Sequence, residues 1–488
     1  MGLLGILLGL TVLVGLSFRS WSVLVLAPVA AMVAALFSGD PLLAHWTQTF
    51  MRAAAGFVAQ FFPLFLLGAI FGKLMDDSGS VNTIARFMTE KLGAKRAILA
   101  VVLAGAIVTY GGVSLFVALF VIVPMAQGLF RTANIPNRLT PGAVALGTMT
   151  FTMTAMPGTP AVQNAIPMPF FGTTPFAAPG LGLIATAIML GFGLWWLMRA
   201  ERAARLAGEG FGDVGGTVES ASENEVVRER ATTAGAFDPA EIKHGHHSPE
   251  QPSLLVAALP LIVVVLVNLT MSMLVIPRLD TNFLAEPQWG GISIASVSGI
   301  WSVIVALIVA ILVLVAINGK RLSELRASVD AGANASVLPI ISVASLVGFG
   351  AVVAALPAFT AVADWVLSID GGPLVSLAVS INILAALTGS ASGGMTIALD
   401  ALGPVYLAIA EQQGINPALL HRIAVISAGT LDSLPHNGAV ITLLAVCGST
   451  HRKSYIDILM CCVVGAMLAL IAVIVLGGMF GSFEGQLQ

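Results

Sequence analysis

Four short stretches rich in glycine, serine, threonine and proline interrupt apolar segments of the chain. Two of them read Thr109-Tyr110-Gly111-Gly112-Val113-Ser114 and Thr388-Gly389-Ser390-Ala391-Ser392-Gly393-Gly394. The other two contain Met156-Pro157-Gly158-Thr159-Pro160 and Ser433-Leu434-Pro435-His436-Asn437-Gly438. A helix that restarts after such a stretch exposes backbone N–H groups with a partial positive charge, which suit a carboxylate. The pattern therefore predicts a binding site for an organic anion.

The predicted ligand contacts are side-chain hydroxyls, amide or imidazole groups, and backbone that glycine leaves accessible. An alternative is that glycine and serine only allow helices to pack closely in lipid. The matched occurrence of the breaks favours binding. The predicted binding residues are Thr109, Tyr110, Gly111, Gly112, Ser114, Pro157, Gly158, Thr159, Asn164, Thr388, Gly389, Ser390, Ser392, Gly393, Gly394, His436 and Asn437.

Ionisable residues within apolar segments are candidates for ion coupling, because charge is costly at membrane depth. Asp432 and His436 are four residues apart, so a helical turn before Pro435 would set them on neighbouring faces. A carboxylate beside histidine raises its proton affinity, which predicts a shared proton site. Asp400 is the reserve candidate. Alternatively, His436 and Asn437 satisfy backbone groups that Pro435 leaves unpaired.

Three other functions are weighed against proton symport. Sodium coupling would use Ser390, Ser392 and loop carbonyls, and a passive channel for organic anions would also use glycine-rich loops. An enzyme would need Ser392 and His436 as nucleophile and base, but no nucleophile-elbow pattern is present. We therefore predict a transporter that is not an enzyme and has neither cofactor nor metal.

Composition sets the class of the protein. Only 10% of the 488 residues are charged, against roughly 25% in soluble domains. Apolar runs long enough to cross a bilayer as helices recur throughout. The chain is therefore predicted to be an all-α polytopic membrane protein with the lipid bilayer as its surroundings. The net charge of −3 argues against a nucleic-acid partner.

A polar stretch at 199–252, which includes a cluster at His244, His246 and His247, separates two similar halves. We interpret the cluster as part of a solvated cytoplasmic linker. Thr109 and Thr388 are 279 residues apart, and Pro157 and Pro435 are 278 apart, which indicates an internal repeat. The first repeat, 1–198, has a predicted hairpin at 97–130 and a broken helix at 141–168. The second, 253–481, has them at 371–411 and 419–448.

The positive charges predict the orientation. If each half makes five crossings plus one re-entrant hairpin, the two repeats are inverted relative to each other. This reading places 19 Lys and Arg residues on one side, and Arg52, Arg278 and Arg422 on the other. Because cytoplasmic loops are enriched in positive charge, both termini are predicted to be periplasmic. We expect a multi-pass protein of the bacterial inner membrane.

Several of these stretches resemble the gluconate permease (GntP) family of the ion transporter superfamily. The resemblance rests on Thr109–Phe116, Met153–Asn164, Gly389–Gly394 and, most specifically, Leu431–Val440. It covers nearly the whole chain apart from the linker. It implies inverted repeats, two hairpins, proton symport of a sugar acid or related hydroxy acid, and a homodimer that works by an elevator-like mechanism.

The sequence also departs from the gluconate carriers. Its first proline break lacks histidine, and Val117-Ala118-Leu119 stands where an acidic residue is expected. The pattern is closer to the hydroxybutyrate permease-like branch. We therefore expect a small hydroxylated monocarboxylate as substrate, gluconate-like acids second and dicarboxylates third.

Overall fold

The structure is a computed structural model that describes residues 2–17, 21–212 and 248–482. Most of the polar linker, including the histidine cluster at 244–247, lies outside the described residues, as do the last six residues. The described chain is helical throughout, and its helices are interrupted at the four stretches noted above.

The first half contains eleven α-helices. They are α1 Gly2–Ser17, α2 Val23–Ser38, α3 Leu42–Asp77, α4 Ser80–Leu92, α5 Ala97–Tyr110, α6 Leu115–Ala133, α7 Thr140–Thr148, α8 Phe151–Thr154, α9 Val162–Ala165, α10 Pro167–Phe171 and α11 Pro179–Leu206. Helix α3 includes a π-helical turn at His45–Phe50.

The described part of the second half repeats much of this order. Its helices are α12 Leu254–Arg278, α13 Ser298–Asn318, α14 Leu325–Ala355, α15 Phe359–Leu367, α16 Gly372–Thr388, α17 Ala391–Gln413, α18 Pro417–Ala428, α19 Gly438–Val446 and α20 His451–Phe480. Helices α12 and α20 also contain π-helical turns, at Met271–Val275 and Leu459–Val464.

Seven of the described helices are long and apolar enough to cross a membrane. The number rises to eight if α4 and the segment Ala94–Tyr110, which meet at an angle of 99°, form one broken span. Helices α1 and α2 have only 16 residues each. The prediction of an all-helical membrane protein with broken helices is therefore confirmed.

Local signals explain where several helices begin and end. Helix α2 begins after Ser22, whose hydroxyl accepts from the N–H of Leu24, and ends at Gly39 in the left-handed region. Helix α18 begins after Asn416, whose side chain accepts from Ala418, with Pro417 at its first position. These caps satisfy N–H and C=O groups that have no partner inside the helix.

Two long helices, α3 and α14, form the centre of one group. They pack together more extensively than any other pair of described helices, and they also contact α13 and α2 respectively. A side chain at Gly332 would come within 2.7 Å of the Cα of Ile70. Such close approach of backbones is typical of helix interfaces in membranes.

A second group combines helices from both halves. Helix α11 packs on α20, and the pair α16–α17 packs on α18. The guanidinium of Arg138 donates to Glu209 at 2.8 Å and to Asp457 at 3.2 Å, while the indole of Trp196 donates to Asp457 at 2.9 Å. These bonds join the region after α6 to α11 and α20, so the two halves form one packed unit here.

The sequence patterns missed several details. They did not predict the helices α4 and α15, which are short and lie between longer apolar segments. Helix α11, by contrast, continues past its apolar residues to Leu206, where the sequence of the linker already indicated a helical start. An ion pair between Arg205 and Glu201, 2.7 Å apart and one helical turn from each other, supports this polar extension.

Candidate functional site

Each half contains a helical hairpin with a short tip. Helix α5 ends at Tyr110 and α6 begins at Leu115, with Gly112 at φ 99° between them. Helix α16 ends at Thr388 and α17 begins at Ala391, with Gly389 at φ 63° between them. These positive φ angles favour glycine, which explains why a glycine stands at both tips.

The second helix of each hairpin begins with a serine cap. The hydroxyl of Ser114 accepts from the N–H of Val117 at 3.4 Å, and that of Ser390 accepts from Gly393 at 3.1 Å. The main contribution of the two serines is thus to cap the N-termini of α6 and α17. The hydroxyl of Ser390 also lies 3.4 Å from that of Ser392. The two hairpins share the same local construction.

In each broken helix a polar side chain accepts from the backbone just before the helix restarts. In the first half, Thr159 accepts from the N–H of Ala161 at 3.4 Å. In the second half, the side-chain oxygen of Asn437 accepts from Ala439 at 2.7 Å and from Val440 at 3.1 Å. Thr159 and Asn437 are 278 residues apart, the same separation as Pro157 and Pro435. The two positions therefore match in the repeat, but only Asn437 caps a helix, because α9 begins after Ala161 without a side-chain cap.

Side chains tie each hairpin to the unwound segment of its own half. The hydroxyl of Tyr110 donates to the carbonyl of Pro157 at 2.8 Å. The amide of Asn437 donates to the carbonyl of Gly389 at 2.7 Å. The four interrupted stretches therefore form two connected pairs, as expected for one shared site.

Two cavities lie between these stretches and share three lining residues. The first has an empty volume of about 660 Å³ and is also lined by α3 and α14; the second has about 450 Å³. Leu115, Met153 and Gln163 line both. Because residues from both halves line them, we treat them together as the central site.

Three helices of the central site begin at its wall. Leu115, Ala391 and Ala439 line the cavities and stand in the first turns of α6, α17 and α19, which have 19, 23 and 9 residues. The first N–H groups of a helix carry a partial positive charge and favour an anionic ligand. The arrangement can therefore hold a carboxylate without a lysine or arginine in contact with it.

Asp432 is the one ionisable residue among those lining the central site. Its carboxylate accepts from the hydroxyl of Ser433 at 2.9 Å. Helix α18 ends at Ala428, so Asp432 and His436 lie in an unwound segment rather than on a helical turn. The geometric premise for pairing these two residues is therefore wrong, although their roles in coupling stay a prediction.

His436 lies against the second hairpin tip. Its Nε2 is 3.0 Å from the carbonyl oxygen of Ala386, and a side chain on Gly389 would come within 3.1 Å of its ring. The residue is half-buried. The contact is with the backbone of α16, so the alternative in which His436 satisfies groups that Pro435 leaves unpaired stays a prediction.

Asp400 lies in a different place. It lines a third cavity, of about 1020 Å³, together with Gln60 and Thr396 between α3, α14 and α17. Asp400 is exposed in that cavity and is absent from the lining of the central site. The structure therefore separates the reserve proton candidate from Asp432.

The other predicted binding residues divide into those that line the central site and those that support it. Thr109, Gly112 and Ser114 line the first cavity, and Asn437 lines the second. Thr109 also donates to the carbonyls of Gly105 and Gly147, at 2.8 and 3.3 Å. These four residues are the ones that the structure brings together at the cavity walls.

The glycine pairs have mainly packing roles. A side chain at Gly111 would come within 2.4 Å of Leu261, and one at Gly394 would meet the backbone of Ala385 at the same distance. A side chain at Gly393 would collide with Leu346. The contribution of glycine here is close helix packing, the alternative considered from the sequence.

The remaining predicted residues hold the backbone of the breaks. Thr388 donates to the carbonyl of Leu384 at 2.8 Å, and the carbonyl of Gly158 accepts from Asn268 at 3.0 Å. The amide of Asn164 donates to Thr159 and Pro175 and accepts from the ring of His421. Asn164 is fully buried, so its hydrogen-bonding groups stabilise the break rather than the cavity wall.

Gln163 is a site residue that the sequence reasoning missed. It is only 9% exposed, lines both cavities, and its side-chain oxygen has no hydrogen-bond partner among the described residues. A buried oxygen without a partner costs about 1–3 kcal/mol. A signal was present in the sequence: the matching position of the second half holds the apolar residue Ile441, so the polar Gln163 is a difference between the repeats.

Arg422 provides a fixed charge behind the wall. It is fully buried and donates to the carbonyls of Ala177 at 2.7 Å and Thr154 at 3.2 Å. Thr154 itself lines the second cavity. The charge count had assigned Arg422 to the periplasmic side, near the end of a helix, whereas in the structure it is fully buried and contacts the site through Thr154.

Comparison with known proteins decides the family. Residues 1–170 match the GntP family of permeases. The uncharacterized transporter YxjC of Bacillus subtilis (strain 168) is 40% identical over 489 residues, which cover 98% of this chain and 100% of that protein. The chain belongs to the GntP permease family. This GntP permease is thus a multi-pass membrane transporter and not an enzyme.

The fold has a counterpart among solved structures. The crystal structure of the YdaH transporter of Alcanivorax borkumensis, described as having an unusual topology, matches with a TM-score of 0.54. The match covers 90% of this chain and 89% of that one at 16% identity. At this identity the likeness concerns the fold of the GntP permease alone.

Proposed function

We propose that the protein is a proton-coupled symporter of a small hydroxylated monocarboxylate, with 3-hydroxybutyrate as the representative substrate. The observation that carries the proposal is the meeting of three helix N-termini with a single carboxylate, Asp432, at the walls of the central site. The N-termini would bind the substrate carboxylate, and a proton on Asp432 would remove the repulsion between the two acids.

The preference for one carboxylate follows from the balance of charge. The lining of the central site contains neither lysine nor arginine. Arg422 lies behind the wall, where it donates hydrogen bonds to Ala177, Thr154 and Asn164. A second or third carboxylate would need desolvation without a cation in contact, which is costly. Hydroxy monocarboxylates therefore rank first, gluconate-like acids second and dicarboxylates third.

A sodium ion remains the second candidate for coupling. It would be held by hydroxyl and carbonyl oxygens such as those of Ser390 and Ser392, whose hydroxyls are 3.4 Å apart. A proton on Asp432 is favoured because that carboxylate lines the site, whereas both serines are buried behind it.

The experiment is uptake of labelled 3-hydroxybutyrate, gluconate and citrate into proteoliposomes under an inward proton gradient, an inward sodium gradient, or neither. We expect accumulation of 3-hydroxybutyrate above the outside concentration with the proton gradient alone. Competition by citrate only would overturn the substrate ranking. Accumulation that needs sodium would replace the coupling ion, and equilibration without any gradient would identify a facilitator.

For the mechanism, we propose two inverted repeats and an elevator-like movement within a homodimer. The first cavity is bounded on one side by α3 and α14 and on the other by hairpin and break residues. The polar groups Thr109, Ser114 and Gln163 belong to the second side. Helices α11 and α20, with the Arg138–Asp457 bond, link the hairpins of both halves into one unit that could carry the substrate past α3 and α14.

We propose that both termini face the periplasm and that the linker is cytoplasmic. Exposed residues Ala207 and Asp280 lie on opposite sides in this arrangement. The cysteines Cys447, Cys461 and Cys462 are buried, so a new surface cysteine gives a clear signal. In intact cells, an impermeant thiol reagent should label Asp280→Cys but label Ala207→Cys only after lysis. The reverse pattern would overturn the orientation.

A further inference from the structure

Gln163 has an environment that its neighbours do not share. It stands at the start of α9, contributes to the walls of both cavities of the central site, and is nine-tenths buried. Its side-chain oxygen has no hydrogen-bond partner within the described residues. Most buried polar atoms of folded proteins are hydrogen-bonded, so an exception at a cavity wall indicates that a ligand supplies the missing partner.

The other polar side chains at the walls already have partners. Thr109 donates to two carbonyls, Ser114 caps α6, and Asn437 caps α19 while donating to Gly389. Asp432 accepts from Ser433. Gln163 is therefore the polar wall residue whose side-chain oxygen, without a partner among the described residues, can accept a hydrogen bond from the uncharged polar part of a substrate.

We infer that Gln163 hydrogen-bonds the hydroxyl group of the transported acid and thereby selects hydroxy acids over their deoxy analogues. The inference rests on the proposed function and assigns it a specificity residue. A primary amide presents both an acceptor oxygen and donor N–H groups, and it exchanges their positions by rotation of its terminal torsion. A hydroxyl, which both donates and accepts, can pair with either end.

The helix N-termini and Gln163 contact different parts of the substrate because only one part is charged. The helix N-termini at Leu115, Ala391 and Ala439 favour the negative carboxylate. A neutral amide adds little affinity for that charge but loses its hydrogen bond when the hydroxyl is missing. A site built to pair with a substrate hydroxyl rejects the analogue without it, because the polar group of the protein stays unpaired.

The test measures inhibition of labelled 3-hydroxybutyrate uptake by unlabelled 3-hydroxybutyrate and by butyrate, in the full-length protein. The wild type should prefer the hydroxy acid by about 10-fold or more. In Gln163→Met, which keeps the length of the side chain but removes its amide, the preference should fall to less than about threefold. Because the readout is a ratio, it is independent of the amount of active protein.

Two further variants keep the result interpretable. Gln163→Asn retains the amide on a shorter side chain and should keep part of the preference. Gln60→Leu removes an amide from the separate cavity of Asp400 and should leave the preference unchanged. An unchanged ratio in Gln163→Met, with an active wild type, would overturn the inference alone. A wild type that transports no hydroxy acid would overturn the proposed function, and this inference with it.

Discussion

The two broken helices of the central site have the same construction but different chemistry. Both unwind at a proline, and in both a side chain accepts from the backbone before the helix restarts, Thr159 in the first half and Asn437 in the second. Asp432, in the second half, corresponds to Thr154 in the first, and both line the second cavity. The shared features form the break in both halves, and the residue that differs, Asp432, adds a group that can ionise.

The opposite asymmetry appears beyond the break. Gln163 in the first half corresponds to Ile441 in the second, 278 residues later. Each half thus contributes one functional side chain where the other has a neutral or apolar residue. We propose that the repeat forms a symmetric frame in which the first half contacts the uncharged part of the substrate and the second half binds the coupling ion. The following predictions test that assignment.

The largest effect is expected for Asp432→Asn. The substitution keeps the size of the side chain and a hydrogen bond with Ser433 but removes the titratable group. Accumulation of 3-hydroxybutyrate driven by a proton gradient should stop, while counterflow exchange of labelled for unlabelled substrate should continue. Proteoliposome uptake measured in both modes separates coupling from binding.

Asp400→Asn is the control for this prediction, because Asp400 faces the separate cavity near Gln60. It should still accumulate substrate against a gradient. If Asp432→Asn accumulates normally and Asp400→Asn does not, the proton site belongs to the third cavity and the assignment to the second break is wrong.

An intermediate effect is expected when the matching side chains of Asn437 and Thr159 are replaced. Asn437→Ala loses the cap of α19 and the bond to Gly389, each worth about 1 kcal/mol. The apparent affinity for substrate should fall by up to about 30-fold, since the two losses together are about 2 kcal/mol and roughly 1.4 kcal/mol corresponds to a factor of ten. Thr159→Val removes only one long contact, 3.4 Å, and should have a smaller effect.

Concentration dependence of uptake, measured under the same proton gradient for both variants, provides the comparison. Size-exclusion profiles in detergent check that each variant is folded. Equal losses of affinity in the two would show that the second break does not depend more strongly on its cap, contrary to the contacts of Asn437.

The sequence was sufficient for much of this architecture. Apolar runs, glycine at the two tips and proline at the two breaks are local signals, and the helices α5, α6, α16 and α17 begin and end close to the predicted hairpins. The breaks could be paired because residues such as Pro157 and Pro435 recur at a constant separation. Glycine and proline act on the backbone within a few residues of their own positions, so their effects can be predicted from the local sequence.

The errors concern contacts between distant segments. Arg422 looked like a residue near a helix end, yet its guanidinium reaches carbonyls of Ala177 and Thr154, more than 240 residues away in sequence. Gln163 attracted no notice because its importance depends on which walls surround it. The helical turn expected to carry Asp432 and His436 is absent because the chain is unwound there, while their shared proton site stays a prediction. Spacing along a sequence does not determine such three-dimensional relations.

The smallest effect is expected at His436. Its Nε2 lies 3.0 Å from the carbonyl of Ala386, so the ring fastens the unwound segment to the hairpin, much as Tyr110 does for Pro157 in the first half. A glutamine side chain can donate a hydrogen bond to the same carbonyl but cannot carry a proton near neutral pH. His436→Gln should therefore keep uphill uptake within about threefold of the wild type, since one neutral hydrogen bond contributes roughly 1 kcal/mol or less.

His436→Leu and Tyr110→Phe form a matched pair for this prediction, because each removes one hydrogen bond between a hairpin and a break. Both should lower the uptake rate modestly while preserving accumulation and its dependence on external pH. The measurement is initial uptake across a range of external pH at fixed internal pH. Loss of accumulation in His436→Gln, with counterflow intact, would mean that the ring carries the proton and that Asp432 does not act alone. The comparison between the halves would then place two titratable groups, rather than one, in the second break.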